Sequence, residues 1–425
     1  MTKQPSAASL VAEGLSRIAD AVGVVLLCLL GWLMFFAFDS ALQSVALAVG
    51  LLGVVARCTQ REVFKNAPLS MFMYAYVGIA ILSSMVHQSA AVMPSFPLSW
   101  TALFEPAFYL IVMAVFVSGA AHLLRTERRL SVFVVLFVAA VVVSAAQIVF
   151  DLAANAGAFF RAGTSSFPSI PQWGGVHGNS LVFALGFPLA LAISQRPRPV
   201  ARFIAGLLLG AALFGAAYVN GARGGLISMT ATAGVMGAMV LNRRLRNSRV
   251  MLTASAFVIV AILGVSWAIG SGRLSIGGFS GRDTLFRLVA DLASDHLWLG
   301  VGPGNYAKGM REAGYAAVLG SSEGTLNAHN LLLRVAAETG VVATLCFLAF
   351  QFSIVRACHK AWTAGRLPMV SLGVCLAVVA FLLHSVFEDY FAARADVERT
   401  RLIVWMCFAA ALAVARLQRT ASTAS

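Results

Sequence analysis

The chain is short of charge. It has 31 lysines and arginines and 17 aspartates and glutamates in 425 residues, so 11% of positions are charged while 60% are hydrophobic. A soluble domain carries charge at roughly a quarter of its positions, so this scarcity excludes an ordinary water-facing globule and leaves lipid as the solvent for most of the chain. Cysteine is sparse too: Cys28, Cys58, Cys346, Cys358, Cys375 and Cys407 form no CxxC pair. That argues against a disulfide framework and against a zinc site. Also missing are a soluble domain, a low-complexity tract and a clear internal repeat of the kind found in inverted-repeat transporters.

What fills the sequence is apolar runs long enough to cross a hydrocarbon core as helices. Twelve are expected, near 19–38, 41–56, 68–86, 102–121, 130–150, 178–194, 200–219, 224–241, 250–270, 330–355, 367–387 and 400–416. The reading is an all-α integral membrane protein of about twelve transmembrane helices, with residues 1–425 as a single polytopic domain. The first run is long enough to span and lacks a small-residue cleavage pattern, so it is expected to remain as the first helix.

The formal net charge of +14 invites a nucleic-acid reading, but a binder of that kind gathers its cations on one face or in one domain. Here the cations alternate by loop. The segments bearing Lys3 and Arg17; Arg57, Arg61 and Lys65; Arg125, Arg128 and Arg129; Arg196, Arg198 and Arg202; Arg243, Arg244, Arg246 and Arg249; Arg356, Lys360 and Arg366; and Arg416 and Arg419 all fall on one side. The positive-inside rule makes that side cytoplasmic, with both termini inside and even-numbered spans running inward.

Residues 271–329, between spans nine and ten, form the longest segment outside the bilayer, and loops of that length are usually functional. Within it, GRDTLFRLVADLASDHLWLG sets Leu285, Leu288, Val289, Leu292 and Leu297 on one side, which predicts a helix lying on the membrane interface. GVGPGNY at 300–306 then breaks it. That run lacks the strand–turn–helix setting of a dinucleotide loop. No DxD-like acidic pair stands out in the loop, so neither a metal nor another cofactor is expected.

Polar groups gather at the outer ends of spans six, eight and ten: GGVHGNS (His177, Asn179), NGARGGL (Arg223) and NAHN (His329, Asn330). The N-termini of these inward-running helices present unpaired N–H groups and the positive end of the macrodipole, which favour an anion. Arg223 followed by two glycines adds a bidentate fork and close backbone approach, suited to a diphosphate. Locally, Arg223 reads equally as a snorkelling anchor, Arg282 as a wet-face arginine of an interfacial helix, and His329 as a capping residue. In this setting His329 is the side-chain type best placed for proton transfer near neutrality.

Arg334 and Glu338 lie four apart on one helix face, and Glu338 is about 13 Å deeper than His329 at 1.5 Å per residue. The cost of a lone charge in the bilayer predicts that they pair and face the bundle interior. His384, Glu388 and Asp389 at the outer end of span eleven read as support or acceptor recognition rather than a metal site. Glu105, beside Pro106 in span four, is a lone intramembrane acid whose partner the sequence does not name.

With NGARGGLIS, GFSGRDTLF, LGVGPGNY and AHNLLLRVAAETGVV in this order, residues 170–390 resemble the O-antigen ligase family, membrane glycosyltransferases sharing a ligase/polymerase domain. The family usually has serine before the signature arginine, where this chain has Ala222. The resemblance implies a GT-C-like fold in the inner membrane of a Gram-negative bacterium. It also implies transfer of a polysaccharide from undecaprenyl diphosphate to the lipid A core oligosaccharide at the periplasmic face, without metal or nucleotide. Carried onto matching positions, Arg223 and Arg282 bind the donor diphosphate and His329 is the general base, with inversion at the anomeric carbon. Alternatives within the class are an O-antigen polymerase and a protein O-oligosaccharyltransferase. Outside it stands a transporter or flippase, whose ionisable groups belong near the midplane rather than at the outer ends.

Overall fold

The computed structural model describes residues 7–36, 39–59, 67–91, 100–154, 175–194, 208–210, 212–213, 215–216, 223–241, 282–318, 328–364, 368–386, 388 and 398–422. Among these residues the protein is all helix, without strands: α1 (Ala7–Phe36), α2 (Asp39–Thr59), α3 (Ala67–Ala91), α4 (Trp100–Leu123), α5 (Glu127–Ala154), α6 (Gly175–Ser194), α7 (Arg223–Leu241), α8 (Arg282–Asp295), α9 (Tyr306–Glu312), α10 (Tyr315–Val318), α11 (Leu331–Thr363), α12 (Pro368–His384) and α13 (Glu398–Ser422). Helices dominate because a chain in hydrocarbon must satisfy its backbone within each segment.

Among the described residues, four stretches are long and apolar enough to cross a membrane: Ser70–His87, Glu127–Gln147, Leu331–Thr363 and Arg401–Gln418. Shorter apolar helices cover Val45–Ala56, Tyr109–Leu123, Asn179–Ala192, Gly224–Met236 and Val370–His384. The expected ninth span, 250–270, lies outside the described residues, and the seventh is helical at the few positions described, within 208–216.

Of these four stretches the last is the most enclosed. Within it 89% of positions are buried, and Phe408 meets Phe350 of α11 and Phe381 of α12 edge-on at 5.5 and 5.4 Å. These T-shaped pairs suit aromatic quadrupoles and lock the helices rotationally where the hydrophobic effect between spans is weak. α2 and α4 pack backbone against backbone at Gly50, Gly53 and Gly119, the small-residue route to close helix contact in lipid. At the C-terminal end of α4, buried Asp20 of α1 accepts from Arg125 Nη2 at 3.0 Å and from both terminal nitrogens of Arg129 at 3.0 and 2.9 Å. This fork–carboxylate geometry ties α1 to the α4–α5 turn.

Residues 282–318 build a second small core together with the start of α11. Leu285, Val289 and Leu292 of α8 join Val301, Tyr306, Met310, Ala328 and Ala337 in a second hydrophobic cluster. The apolar stripe expected to face lipid is therefore occupied by protein, largely α11. Leu297 is not part of that stripe: α8 ends at Asp295, and Leu297 and Trp298 are exposed in the turn that follows.

That turn docks into a break in α11. Gly340 has φ 81° and ψ 172°, which interrupts the helix. Val301 N–H donates to the Ala337 carbonyl at 2.8 Å, Gly302 N–H to that of Glu338 at 2.9 Å, and Val341 N–H to that of Leu297 at 2.8 Å. Ser83 of α3 completes the joint, its hydroxyl donating to the Leu299 carbonyl and to that of Glu338. Carbonyls freed by the break are thus satisfied by the loop, as buried backbone groups must be.

Candidate active site

The N-terminus of α11 is set by Asn330. Its extended backbone (φ −155°, ψ 110°) precedes the first turn, and its side-chain oxygen accepts from Leu333 N–H at 3.0 Å. The same side chain donates to the Val386 carbonyl at 3.3 Å, and Leu331 N–H donates to that of Ser385 at 2.8 Å. The mouth of α11 is thereby stitched to the turn that follows α12. One residue earlier, His329 has φ 47°, and among the described residues it is the one non-glycine with positive φ. Strain of this kind, of order 1–3 kcal/mol, persists where the surroundings fix it.

What fixes His329 is Glu388. The imidazole Nδ1 lies 2.9 Å from Glu388 Oε2, the carboxylate nearly buried and the histidine side chain 26% exposed. With Nδ1–H donating to the carboxylate, the lone pair rests on Nε2. The arrangement is an oriented imidazole with a carboxylate behind it, the pattern of a general base and its orienting group.

His384 lies on the other side of the same turn. Its Nε2 is 3.2 Å from Ser180 Oγ of α6, both side chains buried. Ser180 in turn touches Gly225, the third residue of α7, so closely that a Cβ there would overlap the hydroxyl. The first turn of α7, which begins at Arg223, therefore rests on α6 beside His384. The ends of α6, α7, α11 and α12, all marked by polar groups in the sequence, belong to one linked assembly.

Arg334 and Glu338 pair as expected, Nε to Oε1 at 3.0 Å, both buried. Arg334 also lies over the ring of Tyr306 from α9, 5.2 Å from its centroid. The pair belongs to the joint between residues 282–318 and α11 and is displaced from the His329 mouth. Asn179 is buried at the start of α6 rather than open at a rim. His177, Arg223 and Arg282 lie on described helices, but their side chains, like those of Glu105 and Asp389, lie outside the described residues. Among the described residues no cluster of three or more histidines, cysteines or acids has metal-binding geometry.

Sequence reasoning passed over Ser180, Ser83 and Tyr306. Ser180 is part of the GGVHGNS motif, yet its partner lies 204 positions away, and no local pattern signals such a contact.

No curated protein matches the chain. A family model described as O-antigen ligase matches residues 211–348, which take in α7, residues 282–318 and the first half of α11, and with them Arg223, Arg282 and His329. Over those residues the chain is similar to the O-antigen ligase family, and among the described residues it is all-helical with apolar stretches long enough to cross a membrane.

Proposed function

We propose that the protein is an O-antigen ligase, transferring a polysaccharide from undecaprenyl diphosphate to the lipid A core oligosaccharide at the periplasmic face of a Gram-negative inner membrane. The observation that carries this reading is the His329–Glu388 contact at the mouth of α11, coupled through the turn after α12 to the helix that begins with Arg223.

In this reaction His329 Nε2 takes the proton of the acceptor hydroxyl as that oxygen bonds to the anomeric carbon of the donor sugar. The glycosidic bond to the diphosphate breaks, and its electron pair leaves on the diphosphate oxygen. Displacement from the face opposite the leaving group inverts the anomeric centre. Arg223, at the first position of α7, and Arg282, at the first position of α8, neutralise the departing charge together with the helix N-termini they open. Glu388 keeps the imidazole in the accepting tautomer and stabilises the imidazolium that forms. No step needs a metal or nucleotide, because the leaving group is already activated and its charge is met by the arginines.

The test is reconstitution of the purified protein in lipid with an undecaprenyl-diphosphate-linked glycan and lipid A core, comparing wild type with His329→Ala and Arg223→Ala. Transfer to the core by wild type, lost in both folded variants, is the expected result. Elongation of the lipid-linked glycan with no core product would make the protein a polymerase and overturn the acceptor assignment.

A further inference from the structure

The buried Ser180–His384 contact has no part in the chemistry just described, yet it lies between its two halves. On one side, Ser180 Oγ supports the first turn of α7 at Gly225, where there is no room for even a methyl group. On the other, His384 is the last residue of α12, and its carbonyl accepts from Glu388 N–H at 3.1 Å. The turn it starts also supplies the carbonyls of Ser385 and Val386, which hold Leu331 N–H and the Asn330 amide at the mouth of α11.

We infer that Ser180 and His384 are positioning residues that set the diphosphate-binding mouth of α7 in register with the His329–Glu388 base. The inference rests on the ligase reading for its activity consequences, although the mechanical coupling stands apart from it. Neither residue touches substrate in this account. Their role is to keep the leaving group and the attacking hydroxyl in line, the geometric condition on which the rate of a positioned reaction depends. A serine–histidine contact buried among helices is also costly to leave half-made, since the remaining partner loses a hydrogen bond it cannot replace from water.

The test has two arms on the full-length protein in nanodiscs. In the first, hydrogen–deuterium exchange compares wild type, Ser180→Ala, His384→Ala, His384→Gln and, as a buried-serine control in α5, Ser144→Ala. Ser180→Ala and His384→Ala are expected to raise exchange both at residues 224–232 and at 331–336, while His384→Gln, which keeps a polar nitrogen near the Nε2 position, stays close to wild type. Exchange that rises in only one of the two segments overturns the coupling.

In the second arm, glycan transfer is measured. Ser180→Ala is expected to lower kcat/KM for the lipid-linked donor about tenfold and His384→Ala about a hundredfold, with KM for the acceptor unchanged and Ser144→Ala at the wild-type rate. The double variant should be no worse than His384→Ala alone, as expected of residues that act as a unit. Fully multiplicative losses, or no rescue by His384→Gln, also overturn the inference. If wild type transfers no glycan, the ligase reading falls, while the exchange arm still decides the coupling.

Discussion

Replacing Gly340 by alanine should detach the 282–318 segment from α11. At φ 81° and ψ 172° the backbone sits in a region essentially reserved for glycine, costing a side chain about 1–3 kcal/mol. A Cβ would also overlap the backbone of Trp298, and backbone cannot swing aside as a flexible side chain can. Relief requires moving the 298–302 turn, which puts at risk the three hydrogen bonds made by Val301, Gly302 and Val341 at 2.8 to 2.9 Å. At about 0.5–1.5 kcal/mol each, their loss brings the cost to roughly 3 to 7 kcal/mol, comparable with the whole stability of many domains. The assay is thermal unfolding in nanodiscs together with amide exchange at 301, 302 and 341. Gly78→Ala is the control, a position in α3 where a Cβ meets nothing within 4 Å. It should be neutral or slightly stabilising. Equal unfolding temperatures for the two variants, with protection kept at 301, 302 and 341, would refute the account of the break.

On the proposed mechanism Glu388→Gln should retain the fold but lower kcat about 10- to 100-fold, less than His329→Ala, which in that mechanism forfeits general-base catalysis worth about 10²- to 10⁴-fold; single-turnover transfer with saturating donor measures both. Glu338→Ala leaves the Arg334 guanidinium buried without its carboxylate and should cost about 3–5 kcal/mol, whereas a paired replacement of Arg334 and Glu338 by apolar residues of similar size should cost much less. Denaturant unfolding of the two variants side by side decides it. Asp20→Asn should loosen α1 from the α4–α5 turn by weakening three charge-assisted hydrogen bonds, seen as faster exchange around residues 16–24 while transfer activity persists.

The helices were legible in the sequence because burial in lipid writes them as long apolar runs, and α3, α5, α11 and α13 meet that criterion in the structure as well. The Arg334–Glu338 pair was legible because its spacing of four is local and a lone charge in hydrocarbon is too costly to leave unmatched. Less was visible wherever the partner is distant in sequence. The stripe on α8 announced an amphipathic helix, but it was read as lying on the membrane interface where the structure packs it against protein, since periodicity cannot tell a lipid surface from a protein groove. Asn330 was read as a polar group of the site; in the structure it caps α11 and ties it to Val386. The Glu388–His329 contact spans 59 positions, and composition alone placed both residues near outer helix ends without joining them.

The docking of residues 282–318 also dictates how this chain can be recombined with a similar sequence. An exchange confined to residues 271–329 would separate the donors at Val301 and Gly302 from their acceptors at Ala337 and Glu338, and the α8 stripe from the helix face it fits. The transplantable unit instead runs from Arg282 through Val341, crossing what the sequence presents as the boundary between loop and membrane. A productive chimera has its second seam below the Gly340 break, inside the membrane helix, where two α-helical segments can be joined without asking the loop to recognise a foreign partner.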